Sequence, residues 1–412
     1  IDWLCLPRFD SASTFGALLG DENHGRWLLA PAASLIPDRG ASCTRSYLRD
    51  TFTLVTRWVT PEGEVEVTDL MPHGDRRADV IRRVRGLRGS VAMHIDLRVR
   101  FGYAEAMPWI RQAPEEGTHA LIAVAGPDAI VVRGPELTAR DHTHQADFTV
   151  RAGETVDLSL TWYPAHREPP KPLRVGKRIR ATTRWWRNWT STATTTTAYR
   201  DAVRRSLLVL RALTHEDTGG IFSAATTSLP EHFGGQRNWD YRYVWLRDAS
   251  LTLEVLLEHG FLGEADSWRR WLLRAIAGDP ADVQIMYGLS GERRLDELEL
   301  TSLPGYEGSA PVRIGNGAYL QYQSDVFGEV MLALRAARRV GVVEKDFSWP
   351  LQRALMTFIE QNWKRPDNGI WEIRGPQRHF THSRVMVWAA FDCAIHAVEE
   401  FGLDGPSDRL RV

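Results

Sequence analysis

The chain holds 412 residues with a net charge of −1, 43% of them apolar and 25% charged. That length asks for two or more domains, since a single hydrophobic core stops growing well short of it. Balanced charge offers no basic surface for a phosphate backbone or an anionic bilayer, and no apolar run nears the ~20 residues of a membrane span, so nucleic acid and membrane are excluded as partners.

Residues 1 to about 170 carry period-two patterns. Met93, Ile95, Leu97, Val99 and Phe101 alternate with His94, Asp96, Arg98 and Arg100, and Val156, Leu158, Leu160 and Trp162 alternate with Asp157, Ser159 and Thr161. Shorter runs at 52–59, 64–70, 120–125, 128–133 and 146–151 are punctuated by Gly, Pro and Asp. Such alternation predicts half-buried antiparallel strands and hence an N-terminal β-sandwich over 1–170. A proline-rich stretch (Pro164, Pro169, Pro170, Pro172), a basic tryptophan-bearing segment at 174–189 and a Thr-rich run from Ser191 to Ala198 then predict a linker with a short helix over 171–197.

From 198 to 412 the period becomes 3.6. Helical faces are marked by Val203, Leu207 and Leu210; by Trp268, Trp271, Leu272, Ala275 and Ile276; by Phe327, Val330, Met331 and Leu334; by Leu351, Leu355, Phe358 and Ile359; and by Trp388, Phe391, Ile395 and Val398. The segment 249–261, apolar nearly all round, predicts a sixth helix packed on both sides, with no strand between the six. Ile1 opens within a strand-like stretch and Val412 follows a helix, so further sequence is expected at both ends. Three cysteines (Cys5, Cys43, Cys393) lie far apart without metal-like spacing, a sparse set that suits a reducing compartment, the cytoplasm. Most of the sixteen tryptophans suit core packing, and a minority on loops suit stacking against sugar rings.

Unusual residues collect on the loops between helices. The run 238–248 packs four aromatics (Trp239, Tyr241, Tyr243, Trp245), two arginines (Arg242, Arg247) and two aspartates (Asp240, Asp248) into eleven residues. Arg247 and Asp248 suit a capped helix start with an ion pair. They suit better a clamp in which each planar group grips two neighbouring hydroxyls, because capping does not require the four aromatics. The loop 300–322 could present Tyr306, Glu307, Arg313 and Asn316 to a ligand, while Gln321, Asp325 and Glu329 read mainly as structural hydrogen-bonding residues.

Glu372 follows the apolar pair Ile370 and Trp371 on a third loop. A carboxyl group against an indole and an aliphatic chain loses solvation, stays protonated near neutral pH and suits a general acid. The same residues suit a surface glutamate in a turn made by Asn368 and Gly369, and both readings stand on these residues alone. His379 and His382 fit the orientation of Glu372 or of a substrate hydroxyl better than metal ligation, and no metal is expected. No phosphate-binding glycine loop follows a strand and no Gly-x-Ser-x-Gly elbow appears.

Trp-x-Arg-Asp at 245–248, the run Pro-Asp-x-Gly-Ile-Trp-Glu-x-Arg-Gly with His-Phe-Thr-His-Ser between 366 and 383, and the opening Asp-Trp-Leu-Cys-Leu-Pro-Arg-Phe-Asp-Ser at 2–11 together resemble glycoside hydrolase family 15. That family contains bacterial glucoamylases, glucodextranases and related trehalases, and the resemblance covers nearly the whole chain. It implies a β-sandwich followed by an (α/α)6 barrel of twelve helices, about half of which are present here. It further implies Glu372 as general acid, with Arg247 and Asp248 holding the glucose at the cleaved end and Trp239, Tyr241 and Trp371 offering ring-facing surface. The family's general base is a second glutamate in the C-terminal half of the barrel. No residue of this chain matches its motif, although inversion needs two carboxyls about 6.5–9.5 Å apart.

The expectation is therefore an inverting α-glucoside hydrolase. Trehalose is the favoured substrate because a cytoplasmic enzyme meets a soluble disaccharide more readily than starch. The alternatives are a glucoamylase or glucodextranase acting on malto- or isomalto-oligosaccharides, an inverting glycoside phosphorylase, and a non-catalytic sugar-binding protein. The chemistry requires no cofactor, the partner is a small carbohydrate, and a homo-oligomer is compatible with all of these readings.

Overall fold

The computed structural model describes residues 1–115, 118–194, 198–342 and 348–411. They form two compact units, one of Ile1–Ser191, Ser228–Trp239 and Glu299–Val312, the other of Thr192–Thr227, Asp240–Leu298 and Arg313–Val412.

The first unit is an antiparallel sheet structure. In chain order its strands are β1 (Leu4–Cys5), β2 (Ser13–Phe15), β3 (Arg26–Pro31), β4 (Ser42–Tyr47), β5 (Leu54–Thr60), β6 (Gly63–Leu70), β7 (Asp79–Arg98), β8 (Trp109–Glu115), β9 (Thr118–Ala125), β10 (Asp128–Gly134), β11 (Thr138–Arg140), β12 (Thr143–Arg151) and β13 (Thr155–Pro164). β1 and β2 pair with each other, and the rest run β4-β5-β6-β7-β13-β10-β9-β8 with β3 and β12 also on β7. The alternating run at 93–101 is thus only part of a 20-residue strand that serves two arrays. In its first half Val84 faces Val67 of β6 and Val156 of β13; in its second half Ile95 faces Leu29 of β3 and Ala146 of β12. Both halves send alternate side chains into one core, in which Val67, Val84, Ile95, Leu121, Ile130 and Leu160 are buried together.

The segment expected to be a linker with a short helix is instead a 17-residue helix, α1 (Val175–Ser191), that belongs to the sheet unit. Val175 packs with Leu70 and Ile81, the Thr182 hydroxyl accepts from the His73 N–H at 3.2 Å, and Trp185 stacks on His73 with ring centroids 3.5 Å apart. Of the Thr-rich stretch that follows, residues 195–197 lie outside the described residues.

The second unit is helical: α2 (Arg200–Ala212), α3 (Leu246–Glu258), α4 (Leu262–Ala275), α5 (Asp325–Arg339), α6 (Ser348–Asn362) and α7 (Thr381–Glu399), with a short α8 (Ser407–Leu410). All six expected helices are present. The tryptophan stripe of α4 and the apolar stripe of α5 are buried as their period predicts. Two faces differ. On α7, Trp388 is 66% exposed, and the buried positions include Met386 and Val387 beside the small Ala390, Cys393, Ala394 and Ala397. The two helices approach closely at a glycine of α5: a Cβ at Gly328 would lie 2.2 Å from the Met386 carbonyl oxygen of α7. α3 buries Leu253, Leu256 and Leu257 but exposes Leu251, so it is not packed all round. Strands do occur between the helices, among them Val244–Trp245 antiparallel to Met286–Tyr287; pairings of two residues are too short to leave a period. Among the described residues no helix is long and apolar enough to cross a membrane.

Candidate active site

The run 240–248 is shaped by a buried ion pair. Asp240 binds the Arg242 guanidinium at 2.8 and 2.9 Å, and also accepts from the Tyr243 hydroxyl and the Gly315 N–H. Both charged side chains are essentially without solvent contact. Losing one partner of such a pair costs about 3–5 kcal/mol, so two of the four charged residues in this run act as scaffold. The chain then passes through the Val244–Trp245 pairing and starts α3 at Leu246, which puts Arg247 and Asp248 in the first helical turn. Arg247 Nη2 lies 3.2 Å from Asp248 Oδ2 and 3.9 Å from Glu372 Oε1, and its Nη1 donates to the Ile370 carbonyl at 3.4 Å.

Glu372 sits on a loop tied to the segment that precedes α5. Ser324 donates its N–H and hydroxyl to Asp367, whose other oxygen accepts the Gly369 N–H. The Asn368 N–H donates to the Tyr322 carbonyl at 2.9 Å. Gln321 Nε2 donates to the carbonyls of Glu372 and Ile373 at 3.1 and 3.3 Å, a role consistent with its structural reading. This bracing holds Glu372 at φ +52, a left-handed conformation costly for a residue with a Cβ and concentrated at functional sites.

The contact that shapes the carboxyl differs from the one the sequence suggests. Trp371 is 80% exposed, and the indole on Glu372 is that of Trp245, whose Nε1 donates to Oε1 at 2.7 Å. Burial raises the Glu372 pKa above the ordinary glutamate value, and Asp248 and Asp325 add to the rise, while the Trp245 hydrogen bond and Arg247 oppose it.

Two further carboxylates, read from sequence as structural, share this electrostatic neighbourhood. Asp325 opens α5 and Glu329 lies one turn on, both buried. Burial raises the pKa of each, that of Glu329 to about 7, with Asp325 adding to the Glu329 rise and Arg247 opposing both. His382, in the first turn of α7, sets Nε2 3.4 Å from Asp325 Oδ2 and 3.9 Å from Glu329 Oε1. One signal for these residues was available: they sit at the starts of α5 and α7, as Arg247 and Asp248 sit at the start of α3.

The other expected site residues are more dispersed. Tyr241 packs its ring on Trp245 at 5.5 Å between centroids. Arg313 faces Glu297, which also binds Arg374 at 2.6 and 2.9 Å, so a structural partner occupies part of its guanidinium. His379 is exposed and its ring contacts Arg384. Trp239 and Tyr306 belong to the sheet unit, where Trp239 Nε1 donates to Glu231 and Tyr306 packs on Phe233. Both follow their loops into that unit: the Asn238 amide donates to the Ser309 and Pro311 carbonyls, and the Gly305 N–H to that of Leu19. Among the described residues no group of three His, Cys, Asp or Glu side chains is arranged to hold a metal ion.

Comparison with known proteins bears on both units. Residues 197–412 match the glycosyl hydrolases family 15, and residues 1–161 match the trehalase-like N-terminal family. The trehalase of Mycolicibacterium smegmatis is 34% identical across 95% of this chain and 62% of its own length. The trehalase of Thermoplasma acidophilum is 32% identical across 98% of this chain and 69% of its own. Among solved structures, a bacterial glucoamylase complexed with acarbose superimposes with a TM-score of 0.69 at 11% identity, over 100% of this chain and 61% of that one. The chain thus spans about six tenths of the length of the mycobacterial relative and of the glucoamylase.

Proposed function

The chain belongs to glycosyl hydrolases family 15, and on that premise we propose that it hydrolyses the α-glucosidic bond of α,α-trehalose with inversion. The observation that carries the reading is the Glu372 carboxyl. Burial keeps it neutral to higher pH than an ordinary glutamate, Trp245 orients it, and the Arg247–Asp248 pair lies alongside. Glu372 donates its proton to the glycosidic oxygen as the C–O bond breaks, while water activated by a second carboxylate attacks the anomeric carbon from the opposite face. Arg247 and Asp248 hold the hydroxyls of the glucose that is cleaved off. Tyr241 and Trp371 face sugar rings and His382 a hydroxyl.

Trehalose is favoured over other α-glucosides because two relatives at 34% and 32% identity carry the name trehalase. The proposed compartment is the cytoplasm, supported by three free thiols, Cys5, Cys43 and Cys393. The reaction needs no cofactor.

Proton NMR of the anomeric region, in the first minutes after trehalose meets the intact protein, tests substrate and stereochemistry together. Inversion at one of two α-linked glucoses gives α- and β-glucose in equal amounts before mutarotation. Only α-glucose means retention. Rapid β-glucose from maltose with trehalose untouched moves the function to glucoamylase, and glucose 1-phosphate formed in phosphate buffer moves it to a phosphorylase.

A further inference from the structure

Asp325 is 2% exposed, and among the described residues neither of its carboxylate oxygens has a partner in good hydrogen-bond geometry. Leaving a buried carboxylate oxygen unpaired is costly, so its place must be set by something it stabilises. His382 Nε2, itself buried and without a partner in good geometry, lies 3.4 Å from Asp325 Oδ2, with Glu329 Oε1 3.9 Å away on the same nitrogen, while the Val326 N–H at the helix start is the backbone donor that acts on Asp325. The His382 side chain as a whole is 36% exposed, so the Nε2 edge is sunk against two carboxylates while the rest of the ring is open. An ionised carboxylate accepts only, and a ring nitrogen facing that of Asp325 is favoured with its proton on. We propose that Asp325, backed by Glu329, is a positioning residue that holds the proton of His382 on Nε2 and so presents Nδ1 at the open edge of the ring to a sugar hydroxyl.

The arrangement follows from the helix starts. Asp325 is the first residue of α5 and His382 the second of α7, and the close approach of these helices at Gly328 and Met386 fixes the distance between them. Asp325 also lies in the field of Arg247, which favours its ionised form against the burial that opposes it. A hydrogen bond from a carboxylate to the far side of an imidazole is a recurrent way of choosing the tautomer that the near side shows to a ligand.

The proposal rests on the trehalase reading only for what Nδ1 meets; the tautomer is measured without substrate. Long-range proton–nitrogen NMR of the protein labelled at histidine nitrogen, with the His382 signals identified by their loss in His382→Gln, reads it directly. A proton on Nε2 in the native protein, lost or shared with Nδ1 in Asp325→Asn, is the expected result. Native His382 with its proton on Nδ1 alone overturns the proposal even if Asp325→Asn does not fold, and so does an unchanged tautomer in a folded Asp325→Asn. With trehalose, Asp325→Asn and His382→Gln should each raise KM about tenfold, the worth of one lost hydrogen bond, with a smaller change in kcat. The double variant should be no worse than either single one, and additive losses overturn the coupling. Should the native protein leave trehalose uncleaved while the tautomer result holds, the function reading fails and the Asp325–His382 couple stands.

Discussion

Trp245 and Glu372, 127 residues apart in the chain, meet in a hydrogen bond of 2.7 Å from Nε1 to Oε1. The bond works against the burial that keeps the carboxyl protonated, because an N–H donor favours the ionised form. Replacing Trp245 by Phe removes the donor and keeps most of the ring. The pKa of Glu372 should then rise further, carrying the alkaline limb of the pH–rate profile to higher pH while the less well oriented acid lowers kcat. A limb left in place by Trp245→Phe would show that another group sets it.

Glu372→Gln keeps the shape of the side chain and removes the proton it donates. Turnover of trehalose by the intact protein should fall by about 10²–10⁴, the usual scale of general-acid catalysis, with the thermal unfolding temperature little changed. Near-native turnover in a folded variant would take Glu372 out of the acid role.

Gln321 reaches the site only through the backbone, by its two bonds to the Glu372 and Ile373 carbonyls. Gln321→Ala should release a loop that holds Glu372 at φ +52 and lower kcat roughly tenfold or more, with KM nearly constant. Steady-state kinetics on trehalose separates the two parameters. A change confined to KM would make Gln321 a substrate contact instead of a support.

Glu329 links the site to stability. Its pKa is about 7 in the folded chain and 4.5 without the fold, so the unfolded chain gives up this proton first as pH rises. The native state then binds more protons, and stability falls between those two values, with the full cost of roughly 3 kcal/mol present above pH 7. Glu329→Gln stays neutral throughout. It should therefore stabilise the protein more at pH 8 than at pH 5, and urea unfolding at the two values measures the difference. An equal effect at both would mean that Glu329 ionises freely in the fold. Asp325, Glu254 and Asp248 repel its charge and Arg247 attracts it, so those side chains are kept native in the comparison.

Gly315 donates its N–H to Asp240 and to the Tyr243 hydroxyl oxygen. Its φ is +71, and a Cβ there would lie 1.9 Å from the Asp296 carbonyl oxygen. Gly315→Ala should destabilise the protein by at least about 2 kcal/mol and disturb the run that carries Arg247. A melting temperature unchanged by this substitution would contradict the local backbone described above.

Some of this protein is determined by its sequence alone. The change of period near residue 198, from two to 3.6, locates the sheet and the six helices, because burial on one face of a repeating backbone imprints its period on the residues. The density of aromatic and charged residues at 238–248, and Glu372 after Ile370 and Trp371, mark the chain segments proposed to carry the site. What sequence does not determine is contact between distant segments. The period of α7 points to Trp388, yet Ala390, Cys393 and Ala394 pack with Met331 of α5, and Gly328 of α5 lies against the Met386 backbone, where a Cβ would collide with it. The neighbouring Trp371 turns to solvent and the distant Trp245 binds the acid, because the brace of Gln321, Ser324 and Asp367 sets the path of the loop. Beyond lying in the first turns of α5 and α7, Asp325, Glu329 and His382 carry no local mark of their proximity. Their distances follow from the packing of α5 against α7, and a burial strong enough to move the Glu329 pKa to about 7 exists only once those helices have met.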